Sequence, residues 1–178
     1  MLALKQRLRE VRENEEGFTL IELAVVILII GILLAIAIPT FLGVRKSADD
    51  RSAQTAVRNA YTNAKTIYSD ANQNSYVAVT GALIQAAAPE LTIVATGTAS
   101  TKPTEVSIDT TSATQFLGVA KSNSGKCFAV MEVTATTGNF PPGVYYMQPS
   151  TCSATTAIGV TAAPIAGNGT AAAWGNKW

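Results

Sequence analysis

The chain has 178 residues, a formal net charge of +1, 48% hydrophobic and 14% charged residues, and no histidine. The missing histidine removes the commonest general base and metal ligand, and so small a net charge gives little electrostatic attraction to nucleic acid. Acids beyond residue 40 are scattered (Asp49, Asp50, Asp70, Glu90, Glu105, Asp109, Glu132), and Gly125-Lys126 lacks the other residues of a phosphate-binding loop, so no enzyme, cofactor, metal site or specific nucleic-acid partner is expected.

Residues 1–17 form a charged leader in which Lys5, Arg7, Arg9 and Arg12 are balanced by Glu10, Glu13, Glu15 and Glu16. An apolar stretch follows, from Phe18 to Ile38, interrupted by one carboxylate, Glu22. Twenty-one helical residues span about 32 Å, close to the roughly 30 Å of a bilayer's hydrocarbon core. A charge at that depth costs about 2.5–3.5 kcal/mol, so Glu22 calls for a partner. Cleavage between Gly17 and Phe18 would create one, because the new α-amino group would lie four residues before the carboxylate, in the same molecule or in a neighbour. Two plainer readings are open: a secretory signal cut after Ala35-Ile36-Ala37, and an uncleaved single-pass anchor. The balanced leader argues against the first.

The segment Gly17-Phe18-Thr19-Leu20-Ile21-Glu22, the apolar run and Pro39 at its end resemble the amino-terminal signature of type IV pilins and related pseudopilins. The resemblance implies a leader removed by a membrane prepilin peptidase, N-methylation of Phe18, and Glu22 as the assembly salt-bridge residue. It also implies that the subunit waits in the membrane lipid with its leader cytoplasmic, and is then built into an extracellular homo-oligomeric filament by an assembly platform and a cytoplasmic ATPase. Apolar side chains occur all round the helix, so a subunit leaving the membrane must bury them against copies of itself, and a head-to-tail contact that does not close makes a filament. Gly31 and Pro39 are the weak points of the helix, and a kink or a locally melted turn is expected there.

Beyond Pro39, residues 40–75 read as an amphipathic continuation, with Val44, Ala48, Val57, Tyr61, Ala64, Tyr68 and Ala71 at helical spacing. Arg45, Lys46 and Arg51 read as a solvated helix face with Asp49 and Asp50 as neighbours, the alternatives being contacts with an adjacent subunit or with lipid headgroups. Asn72-Gln73-Asn74-Ser75 marks its end. From 76 to 178 the composition favours strands, at 76–80, 91–95, Glu105–Asp109, 116–121, Cys127–Val133 and 144–148. A long helix followed by strands predicts an α+β protein, with an antiparallel sheet packed on the amphipathic half of the helix. The stretch 151–178, rich in Ala, Thr and Gly, has no clear place. It includes Asn168-Gly169-Thr170, which matches the N-glycosylation pattern.

The two cysteines, Cys127 and Cys152, both fall in the head. In an oxidising compartment an even pair reads as a disulfide, and the alternative is two reduced thiols. Three functions follow from the whole: a type IV pilus subunit, a type II secretion pseudopilin, or a membrane-anchored surface protein that never polymerises. The family's major pseudopilins carry a calcium site in a carboxy-terminal loop, and the scarcity of acids in this tail favours the first.

Overall fold

The structure is a computed structural model that describes residues 18–70, 74–137, 139–155 and 173–178. The leader with Gly17, Ala71, and the triplet Asn168-Gly169-Thr170 lie outside them. Helix α1 spans Leu20–Asp70. The chain divides into two compact units between Gly43 and Val44, so the first holds the apolar part of α1 and the second holds its remainder with the head.

In the first unit the large apolar side chains from Phe18 to Leu42 are exposed. Among the described residues α1 is the one helix long and apolar enough to cross a membrane. Pro39 sits inside the helix, and the next residue, Thr40, donates its hydroxyl to the Ile36 carbonyl at 3.0 Å. The carbonyl that Pro39 leaves without an amide donor is that of Ala35, one residue earlier.

In the second unit, α1 buries Ala53, Ala56, Val57, Ala60 and Ala64. Four of these five are alanines, whose small side chains let the helix backbone come close to the sheet. At Gly118 the approach is close, because a Cβ there would stand 3.1 Å from Val57 Cγ2 and 3.2 Å from the Phe116 ring. Val44 and Ala48, expected on the packed stripe, are exposed, while Tyr61 and Tyr68 are half-buried at its edge.

The sheet has five strands in sequential order: β1 (Thr92–Val94), β2 (Glu105–Asp109), β3 (Gln115–Lys121), β4 (Cys127–Val133) and β5 (Gly143–Met147). The β2–β5 pairs are antiparallel, as expected, but β1 pairs with β2 in parallel, Thr92 opposite Glu105, so the sheet is mixed. The connection that allows this turns at Gly97, with φ +83°, and is pinned by Ser100. The Ser100 hydroxyl donates to the Glu105 carbonyl at 2.6 Å and accepts from the Lys121 amide at 2.9 Å.

Residues 76–80 are not a strand. They form a 3₁₀ turn, Tyr76–Ala78, leading into a short helix α2, Gly81–Ala87, capped by the Thr80 side chain. Tyr76 and Val79 are both fully buried three positions apart. That spacing suits a 3₁₀ turn, whereas a strand would bury alternate residues. The apolar β-branched composition was the misleading signal, and the Thr80-Gly81 start of α2 the overlooked one.

Alternation along β3 and β4 places Phe116, Ala120, Phe128 and Val130 on the helix side, and Leu117, Val119, Ala129 and Met131 on the other. The second face is also covered. Phe140, Ala154 and Trp174 pack there, and the Cys127–Cys152 disulfide ties the start of β4 to the chain beyond β5. Every residue of β4 is buried, as expected for a strand covered on both faces.

The last described segment closes the outer edge of the sheet. Gly175 exchanges two 2.8 Å backbone bonds with Tyr146 of β5. Trp174 enters the outer core, and Trp178 packs on the helix-side core against Phe128 and Tyr146. The Trp178 indole N–H is shared between the carbonyls of Ala129 and Met147, at 3.2 and 3.1 Å. Pairing and covering removes an edge that would otherwise be free to associate.

Candidate functional site

Phe18 and Glu22 lie at the amino-terminal start of α1, with Phe18 80% exposed. The local sequence Thr19-x-x-Glu22 is a capping box, and the structure forms it. The Thr19 amide donates to Glu22 Oε2 at 2.9 Å and the Thr19 hydroxyl donates to the same oxygen at 2.7 Å. In return the Glu22 amide donates to the Thr19 hydroxyl oxygen at 3.2 Å. The first backbone bond of the helix runs from the Leu23 amide to the Thr19 carbonyl at 3.2 Å.

Thr19 is thus a partner of Glu22 within the same chain, and the Thr-x-x-Glu spacing is the local signal for it. Its bonds hold the carboxylate at the helix start, where the dipole of the first turn favours negative charge. A group arriving from another molecule would meet a carboxylate whose orientation is already set. Phe18 lies one residue before the cap, outside the helix.

Farther along the first unit, Ala24, Ile27, Leu28, Gly31, Ile32 and Ala35 line an open apolar groove of about 560 Å³. The side chains recur at one face of the helix, and a Cβ added at Gly31 would meet nothing within 4 Å. Small residues at such positions let a second helix approach closely.

At the start of the second unit the sequence places three cations, Arg45, Lys46 and Arg51, beside two acids, Asp49 and Asp50. The structure does not pair them. The turn between β3 and β4 comes down on the acids instead: Ser122 donates to Asp50 Oδ1 at 2.7 Å, Ser124 donates to the same oxygen, and Lys126 Nζ lies 3.0 Å from Oδ2. Asn123 donates to Asp49 at 3.4 Å. Burial alone would raise the Asp50 pKa, but the serine hydroxyls and the Lys126 ammonium outweigh it and hold the carboxyl below its ordinary value. Arg45, Lys46 and Arg51 are exposed and make no ion pair among the described residues.

The other expected site residues are separated. Gly31 and Pro39 lie within α1, and Cys127 and Cys152 are bonded to each other in the head. No group of three or more metal-binding side chains occurs among the described residues.

Residues 12–38 match the family described as the prokaryotic N-terminal methylation motif. The chain is 39% identical over 69 residues to the type IV major pilin protein PilA of Myxococcus xanthus, covering 39% of this chain and 31% of that protein. It is 53% identical over 49 residues to the type IV narrow pilus major component PilA5 of Thermus thermophilus, covering 26% and 42%. The wide pilus major component PilA4 of the same organism is 46% identical over 71 residues, covering 40% and 53%. The matched stretches thus span about a third to a half of these curated relatives. No solved structure matches the chain.

Proposed function

We propose, from the premise that the methylation motif and the major-pilin relatives support a type IV pilin, that this chain is the precursor of a pilus filament subunit. Type IV pilins are structural subunits and not enzymes. The finer steps belong to the proposal: removal of residues 1–17 by cleavage between Gly17 and Phe18, methylation of the Phe18 amine, a stay in the membrane through 18–39, and assembly into a filament of copies.

The observation that carries the reading is the pairing of an exposed apolar stretch of helix with one oriented carboxylate at its start. Water does not tolerate that surface as a monomer, and a bilayer or a bundle of copies does. Glu22, held by Thr19, is presented to the Phe18 amine of a neighbouring subunit. This would set the axial register of the bundle, since a mismatched register would leave both charges in an apolar surrounding. The groove around Gly31 offers the neighbouring helix a close approach, and the Gly31 to Pro39 stretch is where the helix would yield first under tension.

The test is the mass and amino-terminal sequence of the protein in material sheared from the cell surface. The expected start is a methylated Phe18 in filaments. A start at Ile38 would make the chain a secreted protein, and Met1 retained in the membrane would make it an anchor. Either result rejects the filament reading.

A further inference from the structure

We propose that Arg45 and Lys46 form a docking site for lipid phosphate groups of the leaflet on the head's side, which holds the unassembled subunit at a fixed depth. The inference rests on the membrane stage of the reading above and goes beyond it. It starts from an absence of internal pairing that the sequence does not suggest. Arg45 and Asp49, like Lys46 and Asp50, are four apart on one helix, the spacing at which opposite charges ordinarily meet.

Neither pair forms among the described residues, because Asp50 is engaged by Ser122, Ser124 and Lys126, and Asp49 by Asn123. The β3–β4 turn thereby takes up the acids and leaves the cations exposed. A monomer that needed a neutral helix face here would have it from its own sequence. The fold spends both carboxylates elsewhere.

Their place along α1 suits a phosphate layer. The apolar stretch ends at Ile38, but Phe41, Leu42 and Val44 are still exposed apolar side chains. Arg45 follows Ile38 by seven residues, about 10 Å along a helix, which puts its backbone just beyond a headgroup layer about 5–8 Å thick and within side-chain reach of it. Long cationic side chains direct their charged ends to such an interface while their stems lie along apolar surface. The apolar surface from Phe18 to Val44 is about 40 Å long against a core of roughly 30 Å, so without a stop the helix could slide or tilt to bury different parts of it. Arg45 and Lys46 stop that movement at one position, and their attraction to an anionic leaflet adds to the stop. Arg58, two helical turns beyond Arg51, stacks on Trp178 and Tyr146 and serves as an internal control.

The experiment uses the full chain, labelled with ¹³C at the arginine guanidinium carbons and ¹⁵N at the lysine amines. It is reconstituted in phosphatidylglycerol bilayers and, separately, in uncharged galactolipid bilayers, both in phosphate-free buffer. The readout is solid-state NMR dephasing by ³¹P. The expected result is a dephased arginine line and a dephased lysine line in phosphatidylglycerol only. Because the leader also carries Lys5, Arg7, Arg9 and Arg12, the lines of Arg45 and Lys46 are those that Arg45→Gln and Lys46→Gln respectively remove from the dephased set, and the Arg58 line should be unaffected.

Hydrogen exchange of residues 20–38 in the same samples separates the two claims. If these amides are protected but no line that depends on Arg45 or Lys46 is dephased, the docking proposal is overturned and the membrane stage stands. If the amides exchange freely, both are overturned. Loss of the Arg58 line's usual position in either variant would indicate a disturbed head, and Arg45→Lys, which keeps the charge, then decides: a new dephased lysine line supports the proposal and its absence rejects it.

Discussion

Lys65 of α1 and Glu132 of β4 meet at 2.6 Å, and the second oxygen of the same carboxylate accepts the hydroxyl of Tyr76. Glu132 is the one charged residue in a strand that is buried along its whole length. It therefore joins three separate pieces of chain: the helix, strand β4 of the sheet and the 3₁₀ turn. Lys65 also lies 4.8 Å from the centre of the Tyr68 ring, which stacks on Tyr76 at 4.6 Å.

The two ends of this contact should contribute unequally. Glu132→Ala leaves the buried Tyr76 hydroxyl without its acceptor and should lower stability by about 2–3 kcal/mol. Lys65→Ala removes a partner that is 38% exposed and should cost about 1 kcal/mol or less. Urea unfolding of the full chain in detergent measures both. Equal losses would place the energy in the ion pair and not in the Tyr76 bond.

Alkaline pH should act through the same cluster. Burial, with the Glu132 charge added, pushes the Tyr61 pKa up to about 12, and burial and the Glu132 bond push Tyr76 higher still. A raised folded pKa favours the neutral phenol, so this stability is fully present below the unfolded value of about 10 and is lost as pH rises from there toward the folded value. Ultraviolet titration should show these phenols ionising together with the loss of tertiary structure. Ionisation of all five tyrosines near pH 10 in a still folded protein would contradict the packing described here.

Gly118→Ala tests the close approach of helix and sheet. The added methyl would press on Val57 and on Phe116, both fully buried, and should cost about 1–3 kcal/mol. Gly31→Ala, where the Cβ meets nothing, should leave the stability of the head unchanged. Thermal unfolding followed by near-ultraviolet circular dichroism compares them.

Trp178→Ala should loosen the strap over β5, with a loss of about 3 kcal/mol, while the exposed neighbour Lys177 should tolerate alanine within about 0.5 kcal/mol. Hydrogen exchange at the Tyr146 amide, which donates to Gly175, reads the strap directly. Unchanged protection in Trp178→Ala would show that the indole does not hold it.

Reduction of Cys127–Cys152 should lower stability by at most about 3.5 kcal/mol, the chain-entropy value for a loop of its 25-residue separation. Unfolding with and without reductant gives the difference. A larger loss would mean that the bridge also holds the outer layer in place.

The amino-terminal half was legible because its information is local. Hydrophobicity, length and the position of one carboxylate need only a few consecutive residues to be read, and the same is true of the Thr19-x-x-Glu22 box. The five later strands were legible for the same reason, as runs of β-branched and aromatic residues between turns. Residues 76–80 were not, because an apolar run of five carries no period clear enough to separate a strand from a turn that buries every third residue.

The sequence by itself determined the exposed apolar helix, its charged start and the α+β order of elements. Tertiary structure alone decided that β1 runs parallel to β2, that the sheet is covered on its second face, that Trp174 and Trp178 grip opposite sides of one edge, and that Asp49 and Asp50 turn away from the cations beside them. The physical reason is separation along the chain. Ser122 stands 72 residues from Asp50, and Trp178 stands 49 from Ala129. Contacts that distant depend on where the folded backbone brings each segment, which residue order within a window does not encode.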